Sequence, residues 1–308
     1  MRKPWLRAAQ GVVALLIVGL AVRSLVRNWD ELRSQPLEWH VAPGWLVLSA
    51  LLVWTMYALL IAAWRVMLAG WGQRLDGWTA ARIWTVSSLG KYLPGKVWAV
   101  AGMALMAQRA GIAPWAATGS AIVLQVLAIG TGAAVAGLSG RRAIETADPR
   151  IGAALGLLIA AAAVGVGLLL WPPLVQRLLR LAAPNSEVQG TPPVAGIVFG
   201  VGANAVAWVG YGVALWLLAR GLLPGAGLKP GLAIAVFTAS YLAGFLALFA
   251  PGGIGVREGL FILMLQGPLG IAAATALALA SRVLLTVTEL GAAVPFLIHS
   301  QGRSRVAR

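Results

Sequence analysis

The chain contains no cysteine, so disulfides, thiolate catalysis and cysteine-ligated metal centres are excluded, and the redox compartment is left open. Histidine is nearly as scarce, since His40 and His299 are the only two and both fall near the ends of apolar segments. No pair of aspartates lies inside an apolar segment, so the groups that build a metal site or an acid–base pair are missing. No catalytic residue, metal ligand or cofactor is therefore expected. A Walker motif is also absent, which leaves ATP without its phosphate-binding loop. Charged residues make up only 11% of the 308, and no stretch is long and polar enough for a separate soluble domain.

What fills the chain is apolar. Hydrophobic residues make up 60% of it, far more than a soluble core of this size needs. The fold class is an all-α polytopic membrane protein. At about 20 residues per span there is room for roughly six to eight membrane segments, read as one integral membrane domain over residues 1–308. The net charge of +15 would suggest nucleic acid in a soluble protein. Here the basic residues are scattered between apolar segments, which fits loop charges that set topology and attract anionic headgroups at about 1 kcal/mol each. No nucleic-acid partner is expected.

Met1 to Val26 begins like a signal peptide, but Arg23 stands where small residues should precede a cleavage site, so it reads as an uncleaved first span over 8–26. Its basic start places the N-terminus in the cytoplasm. A mixed outer loop, Arg27 to Ala42, leads to a second span over about Pro43–Ala69, bounded by Trp71, Arg74 and Trp78 as interface anchors. The first half of the domain covers 43–138. It contains a break in Thr79–Gln108, where Pro94-Gly95 splits the apolar material into arms of about 13 residues. At 1.5 Å per residue each arm reaches about 20 Å, short of the roughly 30 Å core, which predicts a re-entrant hairpin over 79–108. A break at depth is tolerated only where it is buried in protein or lines a wet cavity.

A third span over about Trp115–Leu138 precedes an outer loop holding Arg141, Arg142, Glu145, Asp148 and Arg150. The fourth, 151–171, carries Gly152-x-x-x-Gly156 for close helix contact, and Leu174–Ala183, with Arg177 and Arg180, reads as a short interfacial helix. The remaining spans lie in 194–299. Gly200-x-Gly202-x-x-Ala205 in the fifth span looks like half a dinucleotide fingerprint, but no strand precedes it, so it reads as helix packing. Asn204 beside it is expected to face the interior. A second Pro-Gly hairpin is predicted over 231–267, around Pro251-Gly252-Gly253, before a last span with Arg282 and Glu289 and a basic tail. Six full spans and two hairpins place the C-terminus in the cytoplasm. The hairpins then dip from opposite faces, an inverted-repeat arrangement about a midplane site. The alternative is that the longer arm, 231–250, itself spans.

An ionised residue at the helix centre costs about 2.5 to 3.5 kcal/mol, so Lys91, Lys96, Arg257, Glu258, Arg282 and Glu289 need partners or a wet cavity. Four basic and two acidic groups suit an anionic headgroup. Turns at Pro94-Gly95 and at Pro251, Gly252, Gly253 and Gly255 add backbone N–H groups at helix starts, which favour phosphate. Bland readings stay open: Lys91 and Lys96 snorkelling to an interface, Arg257 and Glu258 pairing to pin their turn, and Arg282 and Glu289 joining a structural network with the second hairpin.

The stretches LGKYLPGKVW, with Gln108-Arg109-Ala110-Gly111 after it, and PGGIGVREG resemble the two signature regions of the lysylphosphatidylglycerol synthase transmembrane domain family. That family includes the flippase portion of multiple peptide resistance factors and stand-alone flippase-like proteins. The resemblance covers roughly Pro43–His299 and implies lipid translocation, of aminoacylated phospholipids or, in other members, polyprenyl-phosphate sugar carriers. In the bifunctional synthases a soluble domain after the membrane part transfers lysine from charged tRNA. This chain stops at Arg308, so aminoacyl transfer is not expected. The leading expectation is a non-enzymatic, flippase-like transporter in the cell membrane, acting on an anionic or aminoacylated phospholipid or a polyprenyl-phosphate-linked lipid. Two alternatives are an intramembrane enzyme of lipid or lipid-glycan modification and a membrane adaptor for a partner synthase.

Overall fold

A computed structural model describes residues 40–93, 97–145, 194–247 and 250–306, with Arg177 as an isolated helical position. The expected first span (8–26), most of the loop after it, the fourth span (151–171) and all of Leu174–Ala183 but Arg177 lie outside the described residues. So do Pro94, Gly95 and Lys96. Every regular element among the described residues is helical: α1 (Pro43–Gly70), α2 (Gly77–Ser88), α3 (Val97–Arg109), α4 (Pro114–Glu145), α5 (Val194–Leu222), α6 (Pro230–Leu246), α7 (Val256–Leu269) and α8 (Ile271–Val306). Short 3-10 turns cover Leu89–Tyr92, Pro224–Ala226 and Pro251–Gly253.

Four of these helices are long and apolar enough to cross a membrane, over Pro43–Gly70, Pro114–Gly140, Val194–Leu222 and Ile271–Ile298. They coincide with the four expected spans that fall on described residues. Their apolar character extends to the outside of the bundle. Along α8, Leu279, Val283, Val287, Leu290, Val294 and Leu297 are exposed at helical spacing, while Leu277, Ala278, Leu285 and Ala293 are buried on the other side. In water such a stripe would be an association site; in lipid it is the outer wall. Two helices outrun the sequence expectation. α4 continues through Arg141, Arg142 and Glu145, which were placed in a loop, and α8 continues past His299 to Val306. Arg and Glu are good helix formers, so a span does not stop where hydrophobicity does.

α1 and α5 are antiparallel neighbours. The amides of His40 and Ala42 donate to the carbonyls of Leu222 and Gly221 at 3.1 and 3.0 Å, which fixes the start of α1 against the end of α5. The segments 71–76 and 223–229 therefore sit at opposite ends of that pair. α2 starts from one end and α6 from the other. Asp76 caps α2, its carboxylate accepting from the Thr79 amide at 2.9 Å, and this hydrogen bonding holds the Asp76 carboxyl below its ordinary range. At 1.5 Å per residue the 12 residues of α2 give about 18 Å and the 17 of α6 about 26 Å. Neither reaches across a 30 Å core. Together they match the length of α1, about 42 Å for 28 residues.

Their turns meet. The Tyr92 ring lies 3.3 Å from where a side chain on Gly252 would begin, so the first break packs on the second. Gly252, Gly253 and Gly255 have φ of +57°, +73° and +84°, a backbone path that side-chain-bearing residues rarely follow. Gly90 serves the first turn differently. A Cβ there would stand 2.8 Å from the Ala99 backbone nitrogen, so its lack of a side chain lets the two arms close on each other.

Two apolar cores flank this meeting point. One gathers Trp208, Phe237, Phe261, Leu265 and Leu277, the other Trp64, Met67, Ile83, Trp115, Leu127 and Ile197. Trp71, expected as an interface anchor, is instead 8% exposed and meets Trp115 edge-on at 5.5 Å. Trp78 keeps the exposed position and packs on Phe296 at 4.6 Å. A Cβ on Gly200 would stand 2.9 Å from the Leu127 side chain, so this glycine serves helix packing, whereas Gly202 faces open space. Asn204 is buried as expected, donating to the Gly200 carbonyl at 2.8 Å.

Candidate functional site

The turn at Leu89–Tyr92 carries Lys91 and Tyr92 inward. Lys91 forms an ion pair with Glu289 of α8, and the Tyr92 hydroxyl donates to the other oxygen of the same carboxylate at 2.8 Å. Tyr57 of α1 donates to Glu289 more weakly, at 3.4 Å. Lys91 is therefore pinned within the bundle rather than snorkelling to a surface. Glu289 is 7% exposed, and a carboxylate so placed is kept by the cation beside it.

The second turn is bound in a different way. Glu258, three residues into α7, folds back so that one oxygen accepts from the Gly255 amide at 2.8 Å, while the other forms an ion pair with Arg282 of α8. Arg282 also reaches the Gly252 carbonyl at 3.4 Å. The expected Arg257–Glu258 pairing is not what the structure contains. Successive residues at a helix start point to different sides, and Glu258 turns to its own cap and to α8. Arg282 and Glu289 were expected to meet the second hairpin together. Arg282 does, but Glu289, two helical turns along, meets the first.

Arg257 is then left over. It is 7% exposed, donates to the Ser281 hydroxyl at 2.8 Å, and lies over the rings of Phe237 and Tyr241 at 5.5 and 5.6 Å. Among the described residues no carboxylate pairs with it. The described cluster holds three basic and two acidic groups, and Arg257 is the unbalanced one.

Two adjoining cavities open onto these groups. The smaller, about 70 Å³, is bounded by Lys91, Tyr92, Gly252, Gly253, Arg257 and Arg282. The larger, about 250 Å³, is bounded by Lys91, Glu289, Trp84, Trp208, Asn204 and three tyrosines. Lys91, Gln125 and Tyr241 line both. Of the residues singled out by sequence, the structure thus brings Lys91, Gly252, Gly253, Arg257, Arg282 and Glu289 to a cavity wall. Glu258 and Gly255 stand behind as the cap, and Pro251 opens the 3-10 turn. Pro94, Gly95 and Lys96 are outside the described residues.

Sequence reasoning passed over the tyrosines. The chain has four, and all of them, Tyr57, Tyr92, Tyr211 and Tyr241, line one cavity or the other. The signal was available, because tyrosine in a membrane protein favours the interface, whereas Tyr57, Tyr211 and Tyr241 stand within apolar helices. Gln125, a lone amide inside α4, was readable in the same way. No set of three or more His, Asp or Glu residues capable of holding a metal occurs among the described residues.

Helices that expose apolar stripes outward and gather ionised groups inward around a cavity define a polytopic membrane protein with a polar interior site. The chain belongs to the family described as the lysylphosphatidylglycerol synthase TM region, whose model matches residues 7–288. That span takes in both turns and Arg282 of α8, and ends one residue before Glu289. No curated protein matches the sequence.

Proposed function

We propose that this protein translocates a lipid between leaflets without changing it chemically, the cargo being an anionic or aminoacylated phospholipid or a polyprenyl-phosphate-linked lipid. The observation that carries the reading is Arg257, a buried guanidinium on a cavity wall that no described carboxylate neutralises. A cation held this way is costly unless an anion visits it, and a lipid phosphate is the anion a membrane supplies. The family supports a lipid as the cargo.

In this reading the helix pairs α2–α3 and α6–α7 are re-entrant hairpins of inverted topology, added to six full spans, with both termini cytoplasmic and the protein in the cell membrane. The turns form the midplane site, and alternating access comes from movement of one half against the other. No residue acts as a catalyst. Reconstitution into liposomes with headgroup-labelled lipids tests the proposal. Leaflet exchange is expected for at least one of the three lipid classes, slowed tenfold or more by Arg257→Gln. Absence of exchange for all three, or recovery of a chemically altered lipid, would sink it.

A further inference from the structure

The polar groups facing the cavities are unevenly committed. Both carboxylates are taken, since Glu258 holds the Gly255 amide and Arg282, and Glu289 holds Lys91, Tyr92 and Tyr57. The aromatic faces nearest the charged turns are taken as well. Lys91 lies over Tyr92 and Tyr241 at 5.3 and 5.9 Å, and Arg257 lies over Tyr241 and Phe237. What stays without an ionic partner among the described residues is one cation, Arg257, and beside it stands a set of neutral hydrogen-bonding groups. The Tyr211 and Tyr241 hydroxyls and the Gln125 amide make no hydrogen bond among the described residues, yet each belongs to a cavity wall.

A headgroup amine entering here would find no free carboxylate among the described residues. It would have to displace Lys91 from Glu289, leaving a buried ammonium uncompensated, or sit beside Lys91 and Arg257 as a third cation on rings they already occupy. A neutral headgroup with hydroxyls meets neither cost. Its hydroxyls find two phenols and an amide, which both donate and accept.

We propose that the cavity selects lipid phosphodiesters whose headgroup is uncharged and hydroxyl-bearing, a glycerol or a sugar, over those whose headgroup carries an amine. This rests on the translocation reading and narrows it. The phosphate faces Arg257 in the smaller lobe, and the headgroup lies in the larger lobe against Tyr211 and Tyr241. Gln125, shared by both walls, reads the junction between them.

The test is equilibrium lipid binding to the full chain in nanodiscs, followed by native mass spectrometry. The probes are phosphatidylglycerol, lysyl-phosphatidylglycerol and phosphatidylethanolamine, with glycerol phosphate and inorganic phosphate as soluble competitors. Phosphatidylglycerol is expected to be retained at least tenfold better than either amine-bearing lipid. Glycerol phosphate is expected to compete at least tenfold better than inorganic phosphate, and equal competition would show that only charge is read, overturning the headgroup preference. Gln125→Leu, close in size, is expected to narrow the gap between phosphatidylglycerol and phosphatidylethanolamine to under threefold without lowering Tm. An unchanged gap would remove Gln125 and its junction from the proposal. Amine-bearing lipids retained as well as phosphatidylglycerol overturn this inference and leave translocation standing, whereas retention of no lipid overturns both.

Discussion

The two broken segments do the same architectural task with opposite charge. The first offers a cation, Lys91, and receives the carboxylate Glu289 from α8; the second offers a carboxylate, Glu258, and receives the guanidinium Arg282 from the same helix. They differ in how much each turn does for itself. Glu258 closes its own helix start before it reaches α8, and three glycines at positive φ shape the path that allows this. The first turn has no such internal closure among its described residues and depends on Glu289, which it holds by a cation and a phenol. A break in an apolar helix can thus be stabilised from within or from a neighbour, and this chain uses both.

The largest effect is expected where one side chain does two tasks. Glu258→Ala removes the cap on α7 and leaves Arg282 uncompensated, for a loss of about 3 to 5 kcal/mol. Thermal unfolding in detergent reads it, and a cost below that of Lys91→Met would contradict the self-contained account of the second turn. Lys91→Met is expected to cost about 3 kcal/mol by stranding Glu289, and Lys91→Met with Glu289→Leu to recover much of it. The double-mutant cycle should return a coupling of about 1 to 3 kcal/mol, and additivity would mean that the pair does not hold the first turn.

Glycine separates the two turns on a smaller scale. Gly253→Ala meets a left-handed backbone and a contact 2.9 Å from the Gly244 Cα, for about 2 kcal/mol. Gly90→Ala meets only the crowded arm, at about 1 kcal/mol, so equal costs would erase the distinction. The smallest effect concerns Asp76, in the segment between α1 and α2 and outside the four apolar spans. Its carboxyl is depressed by hydrogen bonds from Thr79, so its stabilisation of α2 is full above about pH 4 and fades as pH falls through the lower folded value. The Tm difference between the protein and Asp76→Ala should be flat at neutral pH and shrink in acid. A difference that persists unchanged at low pH would show that the cap does not depend on the ionised carboxylate.

The helical class and the four spans on described residues were legible because a lipid-facing helix announces itself by length and hydropathy. The breaks were legible for the converse reason, since Pro-Gly and lysine stand out in an apolar run. Partnership was not legible. Which carboxylate answers Lys91 depends on how far α8 runs past each turn, and adjacency in sequence pointed wrongly at Arg257 for Glu258. The cavity wall was half visible. Its charges stood out, but tyrosines scattered over α1, α5 and α6 gather only once the helices pack.

α8 is fastened at two points, Arg282 and Glu289, seven residues or about 10.5 Å apart along one rod. A rod with two pins cannot follow one turn without pulling on the other. In the translocation proposed above, a stroke that drew the first turn outward would also load the Arg282 joint of the second, so that α8 would act as a tie bar between the two turns.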